Sequence, residues 1–462
     1  MASNGDQEDS WSPARLIPVT GIKGTPEQEA RATQALLSVM RGVPEFGSAL
    51  LRLCGGPRGV RRVDTYTEIR MQSSEGAALR PDGAAVVRAQ KIGRMVWLFE
   101  VKTGTNNLRV EQVEHYLDLA RDSGFDGVIT ISNQITSAPD VSPVELPKRK
   151  GKAAQKPPLW HLSWWRVLVE AVVQLQHRGI EDSDQSWILS QLIEYLDDPR
   201  SGVLPLADMG PNWTAVRDGA RQGSLNASDA AVVDVAGRWL QTVDYICLSL
   251  YRELGVTVEL AGKASDQERL DAAVGELASG GSLTSGIRIK DAVSPIQITV
   301  DLRSRTISYE VQLDAPDEPQ RSTARVNWLA RQLKKVPDST AKMVVIEADY
   351  GRGRKTTANL EALRSDPALI CLEGDPQRSL RRFRVSQVCE MATKGRKDNG
   401  FIDTTRGQIT VFYRDIVQAI VPWRPKAPKL RESGEQELTG GEGIVESRDP
   451  FPSPSSVEGD PG

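Results

Sequence analysis

Histidine is nearly missing from this chain of 462 residues: there are three, His115, His161 and His177, too few and too dispersed for a zinc site. Cysteine is scarce as well. Cys54, Cys247, Cys371 and Cys389 stand far apart without CxxC spacing, which excludes a metal ribbon or a disulfide framework and points to a reducing, cytoplasmic compartment. No apolar run approaches the length of a bilayer span, so no membrane is expected among the partners. The opening residues, Met1–Ser12, are polar and acidic where a signal peptide would be basic and then apolar. The net charge is only −3, so a grip on nucleic acid has to come from local patches. A phosphate loop is missing too: Gly351-Arg-Gly-Arg-Lys-Thr356 lacks the Walker spacing, and there is no helicase or ATPase motif.

What is there begins with 39% apolar and 26% charged residues, enough for ample core, over a length that suggests about three domains. The most informative stretch is Met95–Lys102, an apolar, β-prone run that leads into Glu100 and Lys102 across a single valine. Strand side chains alternate, so Glu100 and Lys102 share a face while Val101 turns to the core. A carboxylate and an amine at the end of a buried strand suit a hard divalent cation and a phosphate. No other Asp or Glu in the chain is followed two residues later by Lys. Upstream, Arg80-Pro81-Asp82-Gly83 opens a strand, Ala84–Arg88, and a turn at Lys91–Arg94 would pair it with the Glu100 strand and bring Asp82 to Glu100. In Pro-Asp-Gly, Pro presets φ, Asp caps the turn and Gly accepts a positive φ.

A Pro-Asp-Gly, a strand and then Glu-x-Lys resemble the PD-(D/E)XK nuclease superfamily, with Asp82, Glu100 and Lys102 in the motif positions. On the next helix, Gln112-Val113-Glu114-His115-Tyr116 resembles the Gln-xxx-Tyr motif of its RecB-like branch. Glu29, on a first helix that also carries Thr33, stands where the family often supplies a further acid. The resemblance spans about residues 15–175. It implies an α/β, restriction-endonuclease-like mixed sheet flanked by helices, and a deoxyribonuclease using Mg²⁺ or Mn²⁺. Asp82, Glu100, the Val101 carbonyl and Glu29 would hold the metal, Lys102 would position the attacking water, and Gln112 and Tyr116 would touch the DNA backbone or support the acids. The products would carry a 5′-phosphate and a 3′-hydroxyl. Singly, each piece has an ordinary structural use: a common turn, a surface ion pair of little worth, a helix face, a favourable charge in a first turn. Their order in the chain favours the nuclease. Two alternatives stay open: a catalytically silent DNA-binding or assembly module that retains the fold, and the nuclease subunit of a defence or repair system that docks partner proteins elsewhere.

In chain order, residues 1–14 read as a disordered lead and 15–180 as the nuclease-like domain. Within it, Thr25-Pro26 starts a helix over Glu27–Met40, and Glu45–Leu53 forms a second. Val63–Met71 is the first strand, Val110–Ser123 a helix, Gly127–Ser132 and Leu159–Ser163 further strands, and Trp164–Gln176 a helix. Trp160, Trp164 and Trp165 read as core residues. Ser137–Pro158 carries five prolines and the run Lys148-Arg149-Lys150-Gly151-Lys152, a DNA-contacting loop or a solvated one. Residues 181–262 read as a helical middle domain, with helices Ser186–Leu196 and Ala230–Leu254. A Gly/Ser-rich stretch, Ser279–Gly286, marks the passage to a second α/β domain, 287–424, with strands Ile296–Leu302, Thr306–Leu313, Lys342–Ala348 and Gln408–Tyr413 and helices Ala324–Lys335 and Thr357–Arg364. Between Arg321 and Gly400 stand 17 Lys and Arg against 9 Asp and Glu, a surface able to grip phosphates without reading sequence, with Arg381, Arg382 and Arg384 at its centre. Residues 425–462, rich in Pro, Gly, Ser and Glu, read as a disordered tail.

Overall fold

Pro26 opens α1 (Thr25–Gly42) and Pro44 opens α2 (Pro44–Leu53), each in a first turn, where a missing N–H breaks no helical hydrogen bond. On α1 the stripe Ala32, Leu36, Val39 and Met40 is buried, and with Phe46 and Leu50 of α2 it forms one side of a first core. The structure, a computed structural model, describes residues 15–60, 62–72, 76, 78–89, 93–147, 157–318, 321–372, 380–392 and 400–424. The lead, the tail and the basic run 148–152 lie outside the described residues.

The two helices cover a mixed sheet. After β1 (Val63–Thr67) and a separate ribbon of β2 (Met71–Gln72) and β3 (Ala78–Leu79) come β4 (Gly83–Ala89), β5 (Gly93–Val101), α3 (Val110–Asp122), β6 (Gly127–Ser132) and β7 (Leu159–Ser163). The sheet runs β1-β4-β5-β6-β7, its first three strands antiparallel and β5, β6 and β7 parallel. Alternation divides β5 between two cores: Trp97, Phe99 and Val101 face α1 and α2, while Leu98 faces α3. The expected single strand over Val63–Met71 stops at Thr67 because Glu68 takes a positive φ of 55°, which the ladder does not accommodate.

Gly83 corrects the turn argument. It sits inside β4 without a positive φ, and a Cβ there would lie 2.3 Å from Leu37 Cδ1 and 2.8 Å from the Tyr66 carbonyl oxygen. Glycine is required by the close approach of α1 and β1, next to Asp82. Gly83→Ala is therefore expected to cost about 1–3 kcal/mol by overpacking. Urea denaturation checks this, and an unchanged midpoint would contradict it.

The second half follows α4 (Trp164–Val173) and α5 (Ser183–Asp197). The expected helical middle region has no core of its own. Leu189, Leu192 and Tyr195 of α5 join the first core, whereas Trp213 and Val216 of α6 (Trp213–Gln222) and Val235, Trp239, Val243 and Ile246 of α7 (Ala230–Leu254) join the second. That second core backs a seven-stranded antiparallel sheet, ordered β13-β12-β14-β11-β10-β9-β8. In chain order the elements are β8 (Val258–Leu260), α8 (Asp266–Gly280), β9 (Ser282–Ile289), β10 (Ile296–Asp301), β11 (Thr306–Asp314), α9 (Ser322–Gln332), α10 (Asp338–Ala341), β12 (Val344–Asp349), β13 (Lys355–Asn359), α11 (Leu360–Ser365), β14 (Arg382–Glu390) and α12 (Phe401–Asp415).

Three expectations change here. Ser279–Gly286 is no linker: Gly281 is the left-handed cap of α8, and β9 follows directly with Leu283 and Ile287 buried. Gln408–Tyr413 is helical, because Phe401, Thr405, Ile409 and Phe412 recur at helical spacing and bury one face. Thr357–Arg364 divides into the end of β13 and α11, whose start Asn359 caps through its side chain. No helix among the described residues is long and apolar enough to cross a membrane.

Candidate active site

The β4–β5 hairpin sets the site. The Asp82 amide donates to the Phe99 carbonyl at 3.1 Å, and Asp82 Oδ2 accepts the Val101 amide at 2.7 Å, so Asp82 is stapled across the end of β5. Glu100, on the α3 face, is buried, 1% exposed, and Val101 is buried in the opposite core. Lys102 continues the parallel pairing: its amide donates to the Ile131 carbonyl at 2.8 Å, and its own carbonyl accepts the Trp164 indole N–H at 2.8 Å. With its backbone held on both sides, its side chain turns back to Glu100.

Lys102 Nζ donates to Glu100 Oε1 at 2.5 Å and to the Val101 carbonyl at 3.3 Å, and lies 3.7 Å from Glu29 Oε2. Glu29 is held by Asn106, whose Nδ2 donates to Oε1 at 2.6 Å. Behind the acids, Tyr116 donates its hydroxyl to the Arg80 carbonyl at 3.0 Å, and Gln112 Nε2 approaches that hydroxyl at 3.4 Å. The structure thus gathers Glu29, Asp82, Glu100, Val101, Lys102 and Tyr116 at one strand end, with Gln112 reaching it through Tyr116.

Electrostatics follow from burial. Burial, then the charge of Asp82, pushes the Glu100 carboxyl up to about 8 against the pull of Lys102. Burial also raises Asp82, and pushes the Tyr116 hydroxyl up to about 12 with the help of the Glu100 charge. For Lys102 burial acts downward, but the charges of Glu100, Glu29 and Asp82 outweigh it and raise the ammonium. Two acids at one strand end therefore share a deficit of positive charge that Lys102 meets only in part.

Glu100 Oε2 is buried without a hydrogen-bond partner, which is the position a cation would fill. The donors are all oxygen, as Mg²⁺ and Mn²⁺ prefer. Among the described residues no three His, Cys, Asp or Glu side chains converge at ligand spacing. A small hard ion keeps several waters and needs only one or two carboxylates plus substrate phosphate. The residues fit such an ion.

Comparison with protein-family models, with curated proteins and with solved structures finds no match. The site's own geometry therefore carries the functional argument.

The basic candidates fall elsewhere. Lys148, Arg149 and Lys150 lie outside the described residues. Arg382 and Arg384 project from β14 on the face opposite the buried Phe383 and Val385. Arg384 Nε is 3.1 Å from Glu310 and 3.7 Å from Glu347, and Arg382 Nε is 3.3 Å from Asp314. Arg381 pairs through its backbone, its amide donating to the Asp349 carbonyl at 2.8 Å. Arg382 and Arg384 thus already have carboxylates on neighbouring strands.

Sequence reasoning missed the supports. Thr103 donates to Gln28 Oε1 at 3.2 Å, and Asn133 Nδ2 donates to the Gly104 and Gly202 carbonyls at 2.9 and 2.8 Å, fastening the loop after Lys102 to α1 and to the segment after α5. Lone Asn and Thr residues carry no motif, so no sequence signal marks them. Trp164, read as core, is buried and also holds the Lys102 carbonyl.

Proposed function

We propose that this chain is a metal-dependent deoxyribonuclease with a restriction-endonuclease-like first half, hydrolysing DNA phosphodiester bonds with Mg²⁺ or Mn²⁺. The observation that carries the proposal is the buried, partnerless Glu100 Oε2 beside Asp82, with Lys102 within hydrogen-bond reach of the same carboxylate. An antiparallel hairpin that leads into parallel strands, with α3 following the Glu100 strand, supports the fold reading.

Asp82, Glu100 and the Val101 carbonyl would hold the ion; Glu29, which does not converge with both acids at ligand spacing, would act through a water or serve a second ion. When bound, the ion would lower the pKa of a water and polarise a phosphate oxygen. Lys102 would orient that water and meet the negative charge that builds on the phosphoryl oxygens. Tyr116, anchored on the Arg80 carbonyl, and Gln112 would contact the DNA backbone or keep the acids in place. The test is purified protein with Mg²⁺ or Mn²⁺ on linear and circular duplex DNA, single-stranded DNA and RNA. DNA cleavage that leaves 5′-phosphates and stops in chelator is expected; intact DNA under every condition would overturn the enzyme. DNA binding without cleavage would return the silent-module reading.

The second sheet would add affinity. If Arg382 and Arg384 exchange their carboxylate neighbours for phosphates and the Arg381 guanidinium joins them, replacing all three by Ala should flatten the slope of log affinity against log salt by about 0.9 for each phosphate that is no longer neutralised. Sequence preference should not change. An unaltered slope would assign these arginines to the sheet's own ion pairs.

A further inference from the structure

A cleft of about 230 Å³ lies away from the acids, between segment 134–143 and the helices α7 and α8. Asp244 of α7 lines it, 9% exposed, and no described residue gives its carboxylate a hydrogen bond or an ion pair. Arg269 of α8 lines the same cleft, and its guanidinium likewise has no such partner among the described residues. The neighbouring Asp266 is already engaged, accepting the Ser137 hydroxyl at 2.7 Å. Leu240, Leu260, Leu270 and Ile135 supply apolar walls. At Gly237 an added Cβ would meet only Leu270 Cδ1, at 3.9 Å, so the α7 surface there is open floor.

A carboxylate this buried is costly unless a partner matches it, and the attraction of Arg166 and Arg269 reaches Asp244 without a hydrogen bond or an ion-pair contact. Burial, with the charge of Asp266, raises the Asp244 carboxyl to about 7 although Arg166 and Arg269 pull it down. Arg269 shares this small apolar-walled cleft with Asp244 and Asp266, so both signs of charge line it and complement a molecule that carries both signs. Sites for drug-sized ligands run to roughly 300–1,000 Å³, so this one suits something smaller. We propose that the cleft binds a free α-amino acid with an apolar side chain, its ammonium on Asp244, its carboxylate on Arg269 and its side chain among the leucines. The site shares no residue with the acid cluster and does not rest on the nuclease reading.

Calorimetric titration of the full chain with L-leucine, L-methionine and L-valine tests this, with 3-methylbutylamine and 4-methylpentanoate as probes that carry one charge each. Saturable binding of at least one amino acid is expected, with both single-charge probes weaker by at least about tenfold, the worth of one charged hydrogen bond. Asp244→Asn and Arg269→Gln should each weaken the amino acid by a similar factor. Asp244→Asn removes a buried charge without changing shape, so its unliganded melting temperature should not fall. Gly237→Leu should block the cleft and abolish binding while helicity and melting stay as in the wild type. Absence of saturable binding by all three amino acids, undiminished binding in Asp244→Asn or Gly237→Leu, or stronger binding of either single-charge probe would overturn the assignment.

Discussion

Lys102→Ala is expected to lower DNA cleavage by at least about a hundredfold, the scale of removing one preorganised charge from a transition state. The chain should stay folded and still bind DNA. Lys102 is 14% exposed along its side chain, and its backbone is fixed independently through Ile131 and Trp164, so truncation opens no core cavity. Glu100 would lose its cation, but a carboxyl already pushed up to about 8 can take a proton instead of standing as a bare buried charge. Cleavage rate and melting temperature, measured on the same preparation, separate the two effects. Wild-type cleavage in Lys102→Ala would remove the residue from the mechanism; a collapsed melting transition would make it a structural brace.

Mn²⁺ is expected to raise the melting temperature, and more so at higher pH. The sign follows from Glu100. Its folded-state pKa lies at about 8, above the ordinary value of 4.5, so between those pH values the metal-free native state holds a proton that the unfolded chain has released. Metal-free stability should therefore fall as pH rises through that window and level off above it. The loss is on the order of 1–5 kcal/mol. Glu100→Gln should flatten this slope and be the more stable protein in chelator at high pH, and Asp82→Asn should act the same way by removing the neighbouring charge. A bound cation reverses the logic, stabilising by about 2–3 kcal/mol at a hundredfold excess over its dissociation constant, and the gain should shrink in both variants. Melting curves across pH 5–9 with chelator and with Mn²⁺ give the comparison. Curves that ignore both Mn²⁺ and pH, or variants much less stable in chelator, would make the acids structural.

The site was legible where local chemistry and topology agree. Glu100 and Lys102 converge because period-two alternation and one intervening valine leave them no other arrangement, and β6 and β7 were readable as short, β-rich runs bounded by turns. Gly83 was recognised for the wrong reason: its packing against Leu37 is a tertiary fact that no turn rule contains. Asn106 was invisible, since its hydrogen bond to Glu29 spans 77 positions of sequence. In the second half, β14 was hidden by its arginines. Arg382 and Arg384 read as part of a basic patch, although Phe383, Val385 and Gln387 alternate with them as a strand's inward face. In α12 the opposite holds: the β-branched residues within Gln408–Tyr413 suggest a strand, but the helical stripe that overrules them begins upstream, at Phe401. The helices of 181–262 were found, but which core each one joins depends on packing between residues distant in sequence.

Whether Asp82 and Glu100 await a cation is tested most directly by titrating Mn²⁺ into the chain near pH 7 in two buffers of different ionisation enthalpy. Metal binding at a carboxyl whose pKa lies at about 8 has to displace its proton. The account predicts saturable binding with release of up to about one proton per ion in the wild type, and loss of both binding and release in Asp82→Asn. Absence of binding, or binding without proton release that survives in Asp82→Asn, would contradict it.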